Sequence, residues 1–299
     1  MSLDGNFDSL EYMKNNLRSF FSTKPSSIKI LSYASLDSTM DEARRIIRNG
    51  LDNDITIVRA DTQTAGRGRI EGRKWTDTPK HCLLMTIILP KNYKGIVAIP
   101  LRAGLGVVRA LETILENQAL ETRVSSRLTA NHDQFERKRE PYFFLKWPND
   151  IVVLLPSNSC HFGKLCGILC EQIIDNVLIG IGLNLLKSSY DGLQTDLSPF
   201  SLEEALGFIP QAFSNLDSAA CSITEHVLQA LHDPNWHSEY EYRLWGLGTP
   251  MHFLIGHPQL AQEAEGICEG IDENGSLILS NNGEKRTFVS GEISLLRLV

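Results

Sequence analysis

Apolar residues fall in short blocks separated by polar, glycine- or proline-bearing stretches, and the spacing inside each block predicts an element. A weakly periodic run, Leu10 to Phe21, predicts a short helix, and Lys24-Pro25-Ser26-Ser27 a loop. Ile28 then opens a strand. Ser38-Thr39 ahead of Asp41-Glu42 marks a helix start, with Ala43, Ile46 and Ile47 on its apolar side and Gly50 as its stop. Ile55 to Ala60 and Leu83 to Leu89 read as strands, the second fully apolar. Pro100 to Leu115 is amphipathic at helical spacing, and residues 122–141 form a polar insert without periodicity. Four strands follow at Tyr142 to Trp147, Ile151 to Leu155, Leu165 to Gln172 and Val177 to Leu186. Residues 200–247 return to a helical pattern. From Gly248 the period changes to short alternating pieces at Met251 to Ile255, Glu265 to Ile271, Leu277 to Ser280 and Arg286 to Val289. The turns Asp272-Glu273-Asn274-Gly275 and Asn281-Asn282-Gly283 between them have hairpin chemistry. The organisation is therefore an N-terminal extension (1–27), a larger α+β unit (28–247) and a small β-barrel (248–299).

Composition narrows the classes. The chain of 299 residues is 42% hydrophobic and 22% charged, ordinary values for a globular protein of about two domains. No apolar run reaches the roughly 18–20 residues that cross a bilayer, and acidic residues near the N-terminus argue against a signal peptide. The net charge of −7 does not favour general nucleic-acid binding. Six cysteines without a CxxC pair read as reduced, buried thiols of a cytoplasmic protein.

Four stretches carry chemistry. Gln63-Thr64-Ala65-Gly66-Arg67-Gly68-Arg69-Ile70-Glu71-Gly72-Arg73-Lys74-Trp75 combines glycines with guanidinium groups, a cradle for phosphate or carboxylate or, on a blander reading, a solvated basic turn. Trp75 beside it is either a cover for a purine ring or a core aromatic. Lys146-Trp147-Pro148-Asn149-Asp150 ends one strand and starts another. Asp150 has the hard oxygen donors that Mg²⁺ favours, although a plain turn has the same residues. Lys164 opens an apolar strand as a point charge, or stands as an ordinary surface lysine. Gly180-x-Gly182-x-Asn184 implies close approach of a ligand or another chain segment, or a bulge under a helix.

In this order, Ser38-Thr39, Gln63, Gly66-Arg67-Gly68-Arg69, Lys146-Trp147-Pro148-Asn149-Asp150, Lys164-x-x-Gly167 and Gly180-x-Gly182-x-Asn184 resemble the biotin protein ligase family. Gly270-Ile271-Asp272 and Ser290-Gly291-Glu292-Ile293 are similar to that family's C-terminal domain, so the resemblance runs from about residue 28 to the end. It implies a class II aminoacyl-tRNA synthetase-like domain, a mixed sheet with flanking helices, followed by an SH3-like barrel. The implied activity joins biotin and ATP into biotinyl-5′-AMP and passes the biotinyl group to a lysine of a biotin carboxyl carrier domain of acetyl-CoA carboxylase or a related carboxylase.

The resemblance also implies roles. Ser38, Thr39, Met40, Gln63, Arg67, Gly68, Arg69, Lys164, Gly167 and Gly182 would bind biotin, with Lys164, Arg67 and Arg69 acting in catalysis. Gly66, Arg69, Arg73, Trp75, Lys146, Asn149 and Asn184 would hold ATP and the adenylate, with Mg²⁺ on Asp150. The loop from Ala65 to Lys74 would order over the intermediate. Three departures stand out: Ile70-Glu71 where the family has one residue, Met40 where Asn or Gln is frequent, and the insert at 122–141. Roughly 27 residues before the first strand leave no room for the winged helix of the family's repressor members, so no DNA binding is expected. The family includes monomers and homodimers. A lipoate or octanoate ligase of the same superfamily and a non-catalytic biotin-binding regulator are the rival readings.

Overall fold

The computed structural model describes residues 28–50, 54–69, 75, 78–93, 95–126, 143–154, 162–188, 197–255 and 262–295. The expected helix over Leu10 to Phe21 and most of the polar insert lie outside them. Seven strands form one sheet: β1 (Lys29–Tyr33), β2 (Thr56–Ala60), β3 (Cys82–Leu89), β4 (Phe143–Lys146), β5 (Asp150–Leu154), β6 (Phe162–Ile173) and β7 (Asn176–Asn184). Their spatial order is β1-β2-β3-β7-β6-β5-β4, with β1 and β2 parallel and every other pair antiparallel.

Helices cover both faces of the centre. The first helix, α1 (Thr39–Arg48), lays Met40, Ala43 and Ile47 over Val58, Ile88 and Leu178. On the other face α2 (Ile99–Ser126) packs against α4 (Leu216–His232), with the short α3 (Leu202–Leu206) and α5 (Trp236–Tyr242) at the periphery. Double coverage explains why β3 is buried at all eight positions and reads as a continuous apolar run instead of an alternating one.

The long helix corrects one expectation. Apolar periodicity stops at Leu115, yet α2 continues to Ser126, so 122–126 are helical. No Gly or Pro interrupts 116–126, and Glu, Gln, Ala and Leu extend a formed helix at little cost. The seam between α2 and α4 is close. A Cβ at Gly106 would lie 2.5 Å from Val227 Cα and 2.9 Å from the His226 carbonyl oxygen. Charged groups tie the outer layer: Arg243 is bidentate to Glu112 at 2.7 and 2.9 Å, and Arg109 pairs with both Asp233 and Glu239.

The C-terminal strands β8 (Pro250–Ile255), β9 (Gln262–Ile271), β10 (Leu277–Asn281), β11 (Glu284–Phe288) and β12 (Glu292–Leu295) make a second, antiparallel sheet ordered β11-β10-β9-β8-β12, an SH3-like module. The sequence pattern shows four of these strands. The fifth, β12, is only four residues long and follows Ser290-Gly291, too short for an alternation to register. Asn282 and Gly283 both take positive φ (50° and 85°), the geometry that an Asn-Gly hairpin turn requires. Cys82, Cys166 and Cys268 are buried, whereas Cys170 and Cys221 are only half-buried; Cys160 lies outside the described residues. None of the described helices is long and apolar enough to cross a membrane.

Replacing a helical glycine with alanine ordinarily favours the helix. At Gly106 the new methyl meets backbone of the facing helix, which has no rotamer to yield. Gly106→Ala should therefore lower the unfolding free energy by about 1–3 kcal/mol. Equal or higher stability in urea titrations would show that the α2–α4 seam is not this tight.

Candidate active site

The first turn of α1 points into a cleft on the sheet. Ser38 stands at the N-cap but makes no side-chain cap. The cap comes from another part of the chain: the Thr39 N–H donates to Gln63 Oε1 at 2.7 Å, and the Thr39 hydroxyl donates to the same oxygen at 3.1 Å. An orphan N–H of the helix start is thereby satisfied from the end of β2. Ser38, relieved of capping, lines the cleft with Thr39, Met40 and Gln63. The expectation that a hydroxyl residue starts α1 holds in position, but Gln63 performs the capping.

Beyond Gln63 the chain runs into the Gly/Arg loop. Leu36 and Gln63 form a parallel bridge, the Ala65 N–H donates to the Asp37 carbonyl at 2.8 Å, and the Trp75 N–H donates to the Gly66 carbonyl at 3.0 Å. These bonds anchor both ends of the loop. Arg67 pairs with Asp41 of α1, which also accepts from Arg44; Arg44 is bidentate to Glu171 of β6. Arg69 donates to the Gly291 carbonyl of the C-terminal module at 2.8 Å. Arg67, Gly68 and Arg69 all line the cleft. Arg73 and Lys74 lie outside the described residues.

The cleft floor is the β6–β7 pair. Gly167 and Gly182 face each other across that ladder, and the Trp75 ring lies on both. A Cβ at Gly182 would come 2.7 Å from the indole, and one at Gly167 would come 3.1 Å from it. Neither β7 ladder shows a register shift at this point, so the glycines do not mark a bulge. Gly180, one step along the same face, lies under Met40 of α1, so the helix-packing alternative holds for that glycine. Trp75 Nε1 is buried without a hydrogen-bond partner among the described residues.

Lys164 reaches the floor by an irregularity. In a regular strand, residues three apart face opposite sides. The β5–β6 register shifts, with Ile151 opposite Cys166 and Val152 opposite Lys164, so Leu165 is an extra residue. The bulge turns Lys164 onto the face of Gly167, where a Cβ on the glycine would lie 3.4 Å from Lys164 Nζ. Lys164 Nζ sits 2.8 Å from Asp150 Oδ1, an ion pair without hydrogen-bond alignment. Asn149 also lines the cleft and donates from Nδ2 to the Ile168 carbonyl at 2.7 Å. The neighbouring thiol is no nucleophile: burial, with the Asp150 charge beside it, pushes Cys166 far up from its ordinary value.

Two expectations need correction, and a third, magnesium on Asp150, is a matter of ligand supply. Lys146 is buried away from the cleft, with its ammonium 5.9 Å from the Trp245 ring centroid. Asn184 is buried at the end of β7, where Nδ2 donates to the Lys164 and Phe200 carbonyls at 3.2 and 3.4 Å and Oδ1 accepts from Cys82. It satisfies backbone where the ladder ends and does not line the cleft. Asp150 faces the Lys164 ammonium, and among the described residues no three His, Cys, Asp or Glu side chains gather. A magnesium ion on Asp150 would share that carboxylate with Lys164 and take its other ligands from ATP phosphates and water. Conversely, Leu84, Met85 and Ile181 line the cleft without having been singled out, since apolar strand residues carry no signal beyond burial.

Comparison with known proteins agrees with this geometry. A model of the biotin/lipoate A/B protein ligase family matches residues 33–184, and a model of the biotin protein ligase C-terminal domain matches residues 258–296. The chain is similar to the biotin–[acetyl-CoA-carboxylase] ligase of Mycobacterium tuberculosis, 25% identical over 252 residues (83% of this chain, 82% of that protein). It is also similar to the biotin–[acetyl-CoA-carboxylase] ligase of Paracoccus denitrificans, 27% identical over 269 residues (87% and 98%). Its fold matches a biotin protein ligase from Aquifex aeolicus in complex with biotin and ATP, with TM-score 0.64, 23% identity, and coverage of 90% of this chain and 99% of that one.

The glycine floor has a direct test. Gly182→Ala should lift the Trp75 ring off the sheet. The Trp75 contribution to fluorescence, isolated by subtracting the spectrum of a Gly182→Ala/Trp75→Phe protein, should shift to longer wavelength than in the parent. An unshifted contribution would mean that the indole does not rest on this glycine.

Proposed function

The chain belongs to the biotin/lipoate A/B protein ligase family, and from that premise we propose that it activates biotin with ATP to biotinyl-5′-AMP and transfers the biotinyl group to a lysine of a biotin carboxyl carrier domain. The observation that carries this reading is the convergence, in one cleft, of a hydrogen-bonding wall (Ser38, Thr39, Gln63) with the cations Arg67, Arg69 and Lys164. The match of the C-terminal module to the biotin ligase C-terminal domain, and the two ligases of similar length, favour biotin within the family.

The residues suit the reaction. In the first step a carboxylate oxygen attacks the α-phosphorus and pyrophosphate leaves, so two anions must approach. Lys164 on the floor and the loop arginines offset that repulsion and stabilise charge developing on phosphorus. In the second step the acceptor lysine amine attacks the mixed anhydride and AMP leaves. The bound acid supplies its own nucleophile, consistent with the inert Cys166 thiol. Asp150 would be the carboxylate to hold magnesium on the ATP phosphates, where the ion would offset negative charge. In this reading Asn149, which lines the cleft, and Trp75, whose Nε1 is buried without a partner among the described residues, serve the nucleotide end of the adenylate.

The cleft retains a cavity of about 70 Å³ with the Trp75 ring on its floor. In this reading the Gly/Arg loop closes over the bound acid and nucleotide and keeps water from the adenylate.

The test is an acceptor assay with ATP, Mg²⁺, a biotin carboxyl carrier domain and either biotin or lipoate, read by mass spectrometry. A biotinyl mass gain, with none from lipoate, is the expected result. Gain with lipoate alone would reassign the substrate, and gain with neither would remove the activity. Lys164→Ala should slow adenylate formation by roughly a hundredfold or more; a fully active variant would exclude Lys164 from the reaction.

A further inference from the structure

The amide of Asn184 lies outside the cleft, yet it bears on a group inside it. Asn184 is buried at the end of β7. Its Nδ2 is 3.2 Å from the Lys164 carbonyl oxygen and 3.4 Å from that of Phe200. Carbonyl oxygens only accept, so the nitrogen is the end of the amide that faces them. Oδ1 faces Cys82, directly across the β3–β7 ladder, whose thiol donates to it at 3.4 Å.

The Lys164 carbonyl belongs to the peptide that leads into Leu165, the extra residue of the β5–β6 bulge. That bulge is what turns the Lys164 side chain onto the face of Gly167. The β6–β7 ladder does not reach it, because the pairing stops at Cys166 opposite Leu183. Segment 198–200 runs beside Lys164 instead: the Lys164 N–H donates to the Ser198 carbonyl and the Phe200 N–H donates to the Lys164 carbonyl, both at 2.9 Å. Those two bonds join Lys164 to the segment. The Asn184 nitrogen, bonded to the Lys164 and Phe200 carbonyls together, joins both to β7. The bulge is thereby tied to the strand that carries Gly182 of the floor.

We propose that Asn184 is a positioning residue for Lys164: its amide holds the bulged peptide at the end of β7 and so aims the ammonium over the glycine floor. This rests on the reading above, in which Lys164 meets the reacting anions. Aim matters there because the ammonium is a compact point charge whose effect depends on where it is held. It also has a competing direction, toward Asp150 Oδ1 at 2.8 Å. Without the amide, the Lys164 carbonyl loses a buried donor and the bulged peptide loses its link to β7. The bulge can then relax toward regular pairing, in which Lys164 and Gly167 face opposite sides of the sheet. An amide that acts in this way changes the rate of the first chemical step and leaves substrate affinity in place, whereas an amide that bound the nucleotide would change the affinity for ATP.

The experiment measures single-turnover formation of biotinyl-5′-AMP over ranges of biotin and ATP in the wild-type chain, Asn184→Leu, Lys164→Ala and the double variant. Asn184→Leu keeps the side-chain volume and removes both ends of the amide. Its rate at saturation should fall about ten- to a hundredfold, with half-saturating biotin and ATP within about threefold of wild type. In the Lys164→Ala background the same change should add less than about twofold, since no ammonium is left to aim. An unchanged rate, an effect confined to half-saturating ATP, or full multiplication with Lys164→Ala would each overturn the proposal. Should Asn184→Leu not fold, as judged by thermal melting, Asn184→Ala and Asn184→Ser carry the same comparison with the same expected slowing. A fully active Lys164→Ala would overturn the proposal by removing the group to be aimed. Failure of the wild-type chain to form the adenylate would be a failure of the functional reading itself, and it is seen before any variant is compared.

Discussion

The hydrogen bond from the Thr39 N–H to Gln63 Oε1, 2.7 Å long, is the contact on which the cleft depends. It ties the start of α1 to Gln63 beyond β2 by a side chain, where the parallel bridge of Leu36 with Gln63 already brings the two segments side by side. Because a side chain from the loop base caps the helix, the helix start, the loop and the sheet share one junction. Ser38 is freed for the cleft, Thr39 is given a fixed polarity, and the Gly/Arg loop leaves from a set point. A conventional serine cap would have stabilised the helix by a similar amount, typically about 1 kcal/mol. It would have left the loop base joined to the segment before α1 by backbone bonds alone.

Beneath that junction the floor works by removal. Gly167 and Gly182 give the β6–β7 pair a surface without side chains, and an indole lies on it. A sheet this apolar would otherwise be filled, as β3 is. The bulge at Leu165 then brings an ammonium onto the same surface. The cleft is thus a flat apolar floor with a cation at one end and two arginines above it, within a chain of net charge −7. The arginines are held before any ligand arrives, Arg67 by Asp41 and Arg69 by a carbonyl. An incoming anion must compete with those partners.

The motifs were legible because each combines residue types that folding alone does not require. Glycines interleaved with arginines, or Lys-Trp-Pro-Asn-Asp at a strand exit, are poor choices for packing, and they marked the loop and the floor. The direction of individual side chains was not legible. Lys164 and Lys146 are both lysines beside strands, yet a register shift turns one into the cleft and regular alternation sends the other to Trp245. Asn184 carries a ligand-like amide, but the end of a ladder leaves carbonyls to satisfy, and that need takes the amide. The length of α2 was missed for a related reason: helix propagation depends on the absence of breakers, whereas the pattern reports only the presence of an apolar stripe.

The C-terminal module is often readable as an appendage in chains of this shape, since its sheet is separate and its sequence period distinct. The contacts argue otherwise here. Both motifs that mark the cleft end on carbonyls of that module: Trp147 Nε1 donates to Gly275 at 2.9 Å, and Arg69 donates to Gly291 at 2.8 Å. Gly291 has φ of 150°, and a Cβ there would come 2.3 Å from Phe253, so the turn presenting this carbonyl accepts no side chain. On α5, Glu241 accepts the Ile271 N–H at 3.1 Å and His237 Nε2 bonds the Ile271 carbonyl at 2.9 Å, doing for β9 what a neighbouring strand would do. A module fixed at three such points does not move independently of the sheet at low cost. A rearrangement of the loop that moves Arg69 would break its bond to Gly291, so loop position and module contact are coupled.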